Sequence, residues 1–298
     1  MKGSWIGSTL GIAVRVIAPA VVLIALCGLH ATAQQEAAPP TADEDSGSLK
    51  DQPEPSIEEI RKLKQNPLSA LRSLYLQNTN GTVGGESADV FSLQPVWPFR
   101  VGDKCRLITY TIIPITWAPA VTPGENSASG LGNILFNGFF RPEKEGPLTW
   151  GVGPAIELPT RTNPRLGSDR VSLGPAIILF GSSGSWTGGV VVQNYWSLGG
   201  SGSNKVNQFG LQYIVNYNLP KGWYLLSNAT ITANWLAASQ NRWLVPLGGG
   251  PGRVFKVGKS KQSYAAAIQG FRNVASPSLG PNWEVIAQFQ IIFSMPGT

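Results

Sequence analysis

After residue 33 the chain contains no histidine and only one cysteine. His30 and Cys27 precede that point, and Cys105 follows it. Without a histidine, this part of the chain cannot carry Ser-His or Cys-His catalysis, or a zinc, copper or iron site that uses His ligands. A single cysteine also excludes an intramolecular disulfide, so Cys105 is most simply a structural residue. We therefore expect no metal, no cofactor and no enzymatic activity.

The chain also lacks an apolar run long enough to cross a bilayer as a helix. Residues 16–29 are shorter than the ~20 apolar residues of a spanning helix, and Pro19 interrupts them. Lys2 precedes this stretch, and residues 31–33 (Ala-Thr-Ala) form a small-x-small cleavage site. Residues 1–33 are thus predicted to be a secretory signal peptide. A lipoprotein site at Cys27 is the alternative, although Leu26 stands where a small residue is preferred.

Charge is scarce and unevenly distributed. Charged residues make up 13% of the chain, against about 25% in a typical soluble domain. Residues 34–66 hold eight acidic and four basic residues, which leaves nine acidic and seventeen basic residues in 67–298. Residues 34–55 are also rich in Ala and Pro, so we predict a disordered acidic arm there.

A short helix is predicted over residues 56–65. Ser56 and Glu59 have the spacing of a capping box, and Ile57, Ile60 and Leu63 share one side of the helix. Two interpretations are open for this helix. One is a tether on the periplasmic rim, and the other is a plug or gate that enters the lumen.

Residues 66–298 contain about twelve short segments in which apolar and polar residues alternate. The clearest are residues 91–99, 149–158, 208–218 and 283–293. A two-residue period gives a strand one dry and one wet face. The facing of the third, tenth and eleventh segments stays open. Prolines at 95, 154, 175 and 246 interrupt segments, and we expect them at strand ends or bulges.

The turns between the segments alternate in length. Short turns are predicted at 100–104, 141–147, 181–185, 219–222 and 258–261, and long ones at 78–89, 118–129, 160–170, 199–205 and 276–282; residues 237–241 are a short exception. Nine tryptophans fall mostly near segment ends, as in the aromatic girdles of membrane barrels. Together these features predict an all-β fold: an antiparallel up-and-down transmembrane β-barrel of about 12 strands at residues 66–298, in the bacterial outer membrane.

Seven stretches of the chain resemble a known family. They are NPLSALRSLYLQ (66–77), FSLQPVWPF (91–99), LITYTIIPI (107–115), GLGNILFNGFF (130–140), WGVGPAIELPT (150–160), GRVFKVGK (252–259) and WEVIAQFQIIF (283–293). They resemble the outer-membrane proteins labelled for the meta-pathway of phenol degradation, also called bacterial neuromedin-U-like or transporter proteins. The resemblance implies an outer-membrane barrel linked to the uptake of aromatic or other small compounds. It implies no catalytic or ligand-binding residue.

Two positions depart from that family. Tyr110 stands where the family has Arg, and Asn133 stands where it has Asp. If both line the lumen, this pore has lost a pair of opposite charges. The candidate lumen-lining residues are Arg106, Tyr110, Asn133, Glu157, Gln212, Asn216, Arg253, Glu284 and Gln288.

Charge in the lumen has two open interpretations. Glu157 and Glu284 could pair with Arg106 or Arg253 and narrow the pore, or simply pack there. The basic excess could favour anions if it lined the pore. The alternative places the basic residues Arg161, Arg165, Arg170, Lys205, Lys259 and Lys261 in loops and turns, where they meet lipopolysaccharide or solvent.

The favoured function is an outer-membrane channel for small solutes, including aromatic or hydrophobic compounds. The alternatives are a structural or interaction barrel whose N-terminal arm docks a periplasmic partner, an outer-membrane lipid enzyme, and a soluble exported β-protein. The expected partners are outer-membrane lipid, lipopolysaccharide and the barrel-assembly machinery, which reads an aromatic C-terminal signal such as Phe293. The transported solute is unknown, and no nucleic-acid partner is expected.

Overall fold

The structure is a computed structural model that describes residues 56–122, 124–144, 146, 148–200, 205–258 and 262–293. The predicted signal peptide and acidic arm lie outside these residues. One α-helix and thirteen β-strands occur in this chain order: α1 (Ile57–Gln65), β1 (Ser73–Val83), β2 (Glu86–Val101), β3 (Cys105–Ala118), β4 (Ala128–Leu131), β5 (Ile134–Pro142), β6 (Leu148–Leu158), β7 (Arg170–Ser183), β8 (Trp186–Gly200), β9 (Asn207–Asn218), β10 (Trp223–Asn234), β11 (Trp243–Lys256), β12 (Ser263–Ala275) and β13 (Trp283–Ile292).

The strands form a closed antiparallel barrel. Each strand pairs with its neighbours in chain order, and β1 pairs with β13 from Ser73↔Ile292 to Gly81↔Glu284. The strands β4 and β5 both pair with β3, one beyond the other, so they occupy one position in the wall. The barrel therefore has twelve strand positions, which confirms the predicted fold class.

No helix among the described residues is long and apolar enough to cross a membrane.

The two faces of the wall differ as the alternation predicts. In β9 the buried residues include Ile214, Asn216 and Asn218, while Val215 and Tyr217 are exposed. In β13 Ile286 and Gln290 are buried, while Val285 and Phe289 are exposed. The buried set faces the lumen and the exposed set faces outward.

Nine exposed tryptophans form two belts on the outer face of the wall. Trp97, Trp150, Trp186 and Trp223 lie near the end of the barrel with the short turns, and Trp117, Trp196, Trp235, Trp243 and Trp283 lie near the opposite end. We call these the short-turn end and the long-loop end. Trp has an apolar ring with one polar tip, so belts at this spacing suit the two interfaces of a membrane.

One long loop was predicted wrongly. Residues 78–89 are not a loop, because β1 and β2 stay paired up to Val83↔Glu86. Only Gly84 and Gly85 connect them, with φ angles of 60° and 90°. Two consecutive residues at positive φ make the tight hairpin turn that glycine favours. The polar residues on both sides therefore continue the ladder as a long hairpin.

All four prolines lie inside strands rather than at their ends. Pro154 is paired with Pro175 in a continuous ladder between β6 and β7. On the other side of each proline the ladder is interrupted, at 138–139 of β5 and at 194–195 of β8. Proline has no N–H to donate, so the ladder can continue toward the neighbouring strand on one side of each proline and is interrupted on the other side. Pro246 does mark a bulge, between Val245 and Pro246.

Gly153 provides a test of the close packing beside Pro154. A Cβ at Gly153 would lie 1.7 Å from the Gly138 carbonyl oxygen, whereas a Cβ at Gly270 would meet nothing within 4 Å. We expect Gly153→Ala to destabilise the barrel by about 1–3 kcal/mol, since overpacking forces the backbone to move. The matched variant Gly270→Ala should be neutral. Thermal unfolding followed by heat-modifiable gel mobility compares the two, and equal midpoints would contradict the packing.

Candidate functional site

The barrel encloses a cavity of about 520 Å³ with two chemically distinct walls. The apolar wall, on β2, β3, β5, β7 and β8, includes Val96, Ile108, Ile112, Leu135, Phe139, Ile178 and Val191. The polar wall, on β1, β9, β10, β12 and β13, includes Gln77, Gln208, Gln212, Asn228, Gln269, Gln288 and Gln290. The division is incomplete, since the strands of the apolar wall also contribute Gln94, Tyr110, Asn137, Gln193 and Tyr195, and those of the polar wall contribute Phe209, Ile214 and Ile286. A cavity richer in aliphatic side chains on one side and in carboxamides on the other suits small amphipathic molecules.

Residues 57–71 form the floor of this cavity at the short-turn end, and we call them the floor segment. A capping box begins α1: the Glu59 amide donates to the Ser56 side chain (3.2 Å), and the Ser56 amide donates to the Glu59 carboxylate (2.7 Å). The Ser56 hydrogen bonds lower the pKa of the Glu59 carboxyl. The apolar side of α1 packs against Tyr224 and Val254, which face the lumen. The helix is thus anchored to the inner face of the wall.

Polar contacts hold the same segment inside the mouth. Lys64 Nζ donates to the Tyr224 hydroxyl (2.6 Å), and Gln65 Nε2 donates to Asn218 Oδ1 (2.9 Å). The Thr187 hydroxyl donates to Gln65 Oε1 (2.9 Å). Leu68 is fully buried in an apolar cluster with side chains of the apolar wall. Of the two interpretations of this helix, the structure shows the one inside the lumen.

Three of the predicted lumen residues line the cavity through paired side chains. The Tyr110 hydroxyl donates to Gln94 Oε1 (2.5 Å). Gln212 Nε2 donates to Asn228 Oδ1 (2.9 Å), and Gln288 Nε2 donates to Gln77 Oε1 (3.1 Å). Each pair spans two neighbouring strands. Two of these residues also donate along their own strands: Gln94 Nε2 donates to the Ser92 hydroxyl (2.8 Å), and Gln77 Nε2 donates to the Thr79 hydroxyl (3.3 Å).

Glu157 and Asn133 meet near the long-loop end. Asn133 Nδ2 donates to Glu157 Oε1 (2.7 Å) and to the Ser168 carbonyl (2.9 Å). The Arg161 amide donates to Asn133 Oδ1 (3.4 Å). Asn133 therefore joins the end of β6 to the loop that follows it. Its amide supplies the donors that an Asp, the residue of the resembling family, would lack.

The other lumen carboxylate, Glu284, lies near the same end on β13. Asn273 Nδ2 donates to Glu284 Oε1 (3.4 Å), and Glu284 lines the cavity. Asn216, by contrast, lies beneath the floor segment, where its Nδ2 donates to the Thr187 hydroxyl (3.2 Å). Asn216 thus faces inward but belongs to the support of the floor.

The two predicted arginines do not neutralise these carboxylates. Arg106 forms a bidentate pair with Glu143 (3.0 and 2.5 Å) beside a short turn, and this hydrogen bonding lowers the pKa of the Glu143 carboxyl. Arg253 is exposed on the outer face, with its guanidinium 5.2 Å from the Trp223 ring centroid. Placing Arg253 in the lumen was therefore wrong. The glycine-rich strand β11 lacks the alternation that would have revealed its facing.

Several cavity residues escaped the sequence analysis. Lys64 and Leu71 precede the first strand, so no strand pattern could place them in the lumen. Asn137 and Tyr195 line the cavity from β5 and β8. If the strand boundaries had been known, the two-residue alternation alone would have placed both side chains on the inner face.

The fold is similar to that of a solved outer-membrane channel. The COG4313 outer membrane channel from Pseudomonas putida F1 superposes with a TM-score of 0.56 at 14% identity, covering 75% of this chain and 96% of that one. The NanC porin gives a TM-score of 0.46 at 10% identity (75% and 100%), and the outer membrane phospholipase of Salmonella typhi gives 0.37 at 13% (79% and 96%). No protein-family model matches the chain. No curated protein matches its sequence either.

Asn133→Asp tests the contact between the wall and the loop. It places a second carboxylate beside Glu157, and we expect a loss of about 1–3 kcal/mol at neutral pH because a hydrogen bond becomes a repulsion. At acidic pH one of the two carboxyls takes up a proton, and the loss should shrink. Thermal unfolding at both pH values measures the effect. The double variant Asn133→Asp/Glu157→Gln should recover stability at neutral pH, and failure to recover would contradict the assignment.

Proposed function

We propose that the protein is an outer-membrane channel for small solutes that favours uncharged and cationic molecules over anions. The observation that carries the proposal is the polar-lined cavity inside a closed barrel of twelve strand positions. Barrels of about eight strands are filled by side chains, and those of about sixteen enclose a wide water channel. Twelve positions leave a narrow path. The family resemblance supports the same role and extends it to aromatic or other small compounds.

The charges in the cavity support the proposed preference. Among the described residues that line it, the charged ones are Lys64, Glu157 and Glu284. Lys64 is held at the floor by Tyr224, while both carboxylates lie near the long-loop end. A solute that enters from outside meets negative charge first. The loop arginines lie elsewhere: Arg161 is 3.9 Å from Asp169, and Arg165 is 3.6 Å from Glu125.

Planar-bilayer recordings in a KCl gradient test the channel and its ion preference. We expect discrete conductance steps with a reversal potential on the cation-selective side. The double variant Glu157→Gln/Glu284→Gln should move the reversal potential toward zero, because it removes both lumen carboxylates. Glu86→Gln, at the exposed hairpin tip, is the matched control and should change nothing. A folded barrel without steps would overturn the channel.

Two truncations test whether the floor segment narrows the channel. A chain that begins at residue 56 keeps the floor segment, and one that begins at residue 66 loses α1. We expect the first to conduct like the chain that begins at residue 34, and the second to show larger steps, because Lys64 and Gln65 no longer occupy the mouth. Single-channel recording measures all three. Equal steps from the second truncation would contradict an obstructing role for α1.

The proposal includes no enzymatic role and places the protein in the outer membrane. Composition supports the first part, because no residue after His30 is a histidine. The aromatic belts support the second part, since they supply an anchor at each membrane interface. The proposed orientation puts the short turns in the periplasm and the long loops outside.

A further inference from the structure

One part of the cavity wall carries three polar side chains, Asn137, Glu157 and Tyr195, and we call it the recess. The strands β5, β6, β7 and β8 lie side by side there, with Asn137 paired to Ala155 and Ala176 paired to Gln193. Ala155 and Ala176 are buried in the same apolar cluster as Tyr195. The two alanines do not reach the cavity, whereas Asn137, Glu157 and Tyr195 line it.

The recess contains buried polar atoms whose hydrogen bonding is incomplete. Asn137 is 5% exposed and Tyr195 is 6% exposed. The Tyr195 hydroxyl lies close enough to Asn137 and Glu157 to interact with both. Nevertheless, Asn137 Oδ1 and Tyr195 Oη make no hydrogen bond of regular geometry within the described part of the chain. Buried polar atoms normally have partners, so these two are suited to receive a ligand.

Glu157 supplies the charge of the recess. Its Oε1 atom accepts from Asn133, which leaves the second carboxylate oxygen for another donor. No Lys or Arg nitrogen of the described residues lies within ion-pairing distance of Glu157. An unpaired carboxylate attracts a cation and repels an anion. The recess therefore selects by charge as well as by hydrogen bonding.

We propose that this recess binds the ammonium group of a primary amine with an apolar tail. An ammonium carries three N–H donors, no acceptor and one positive charge. It matches three oxygens able to accept, one each from Asn137, Glu157 and Tyr195. An alcohol offers one donor and no charge, and a carboxylate ligand would be repelled.

The apolar wall provides the place for the tail. Val191, Ile178 and Phe139 belong to the same cluster as Tyr195, and Leu68 of the floor segment completes it. A tail that runs from the recess along these side chains stays inside the cavity. This inference rests on the proposed channel and names the class of solute that the channel takes up.

Isothermal titration calorimetry of the folded barrel in a non-ionic detergent tests the proposal without requiring conductance. The probes are hexylammonium, 1-hexanol and hexanoate, which share one tail. We expect saturable one-to-one binding of hexylammonium, at least tenfold weaker binding of hexanol, and no binding of hexanoate. A folded barrel that binds hexylammonium but does not conduct would overturn only the proposed channel function. A barrel that conducts but does not bind hexylammonium would overturn only the proposed ammonium site.

Two variants and one control locate the binding site. Glu157→Gln should weaken hexylammonium at least tenfold and leave hexanol unchanged, because it removes the charge and keeps the shape. Tyr195→Phe should weaken hexylammonium several-fold. Glu284→Gln, which removes the other lumen carboxylate, should weaken hexylammonium by less than threefold, because it removes only the longer-range attraction of the lumen. Equal losses from Glu157→Gln and Glu284→Gln would show general attraction by the lumen and overturn the site, as would equal binding of hexanol and hexylammonium.

Discussion

The ladder between the first and last strands is the interaction on which the whole structure depends. Nine residue pairs, from Ser73↔Ile292 to Gly81↔Glu284, remove the two edges that a twelve-position sheet would otherwise expose. Unpaired backbone groups are costly in a membrane, so a sheet can occupy one only when it is closed. The Phe293 amide also donates to the Arg72 carbonyl, which continues the seam beyond both strands. Closure in turn separates an inner face from an outer face, and the cavity and the aromatic belts both depend on that separation.

The interior that closure creates is shaped as much by the floor segment as by the wall. Without residues 57–71, Tyr224, Asn218 and Thr187 would border an open mouth at the short-turn end. Instead, Lys64 and Gln65 bind those side chains, and Leu68 joins the apolar wall. The cavity is therefore bordered below by a segment that is not part of the barrel wall. Both parts contribute charge to the cavity: Lys64 belongs to the floor segment, and Glu157 and Glu284 belong to the wall.

The two-residue period of the sequence predicts which side chains face inward, but few of the contacts that arise when the chain closes. Clean alternation placed Glu157, Gln212, Glu284 and Gln288 on the inner face. Shifting such a strand by one residue would turn all its apolar side chains to the other face, so the alternation determines the facing. The contact of Asn133 with Glu157 depends on how β5 and β6 align, and the sequence of either strand alone does not predict that alignment. Arg253 comes after a run of glycines, which carries no periodicity. The floor segment shows an amphipathic helix, but the polar partners of its last turn are more than 120 residues away.

The strand β8 gives the distance between the two belts, because it carries one tryptophan of each belt. Trp186 and Trp196 both face outward and are ten residues apart. At about 3.3 Å per residue they are separated by ~33 Å along the strand. A tilt of ~40° reduces this to about 25 Å along the membrane normal, the height of the apolar band of such barrels. The spacing of the belts therefore matches one thickness of hydrocarbon, and a thicker bilayer would leave one belt inside the hydrocarbon unless it thinned around the barrel.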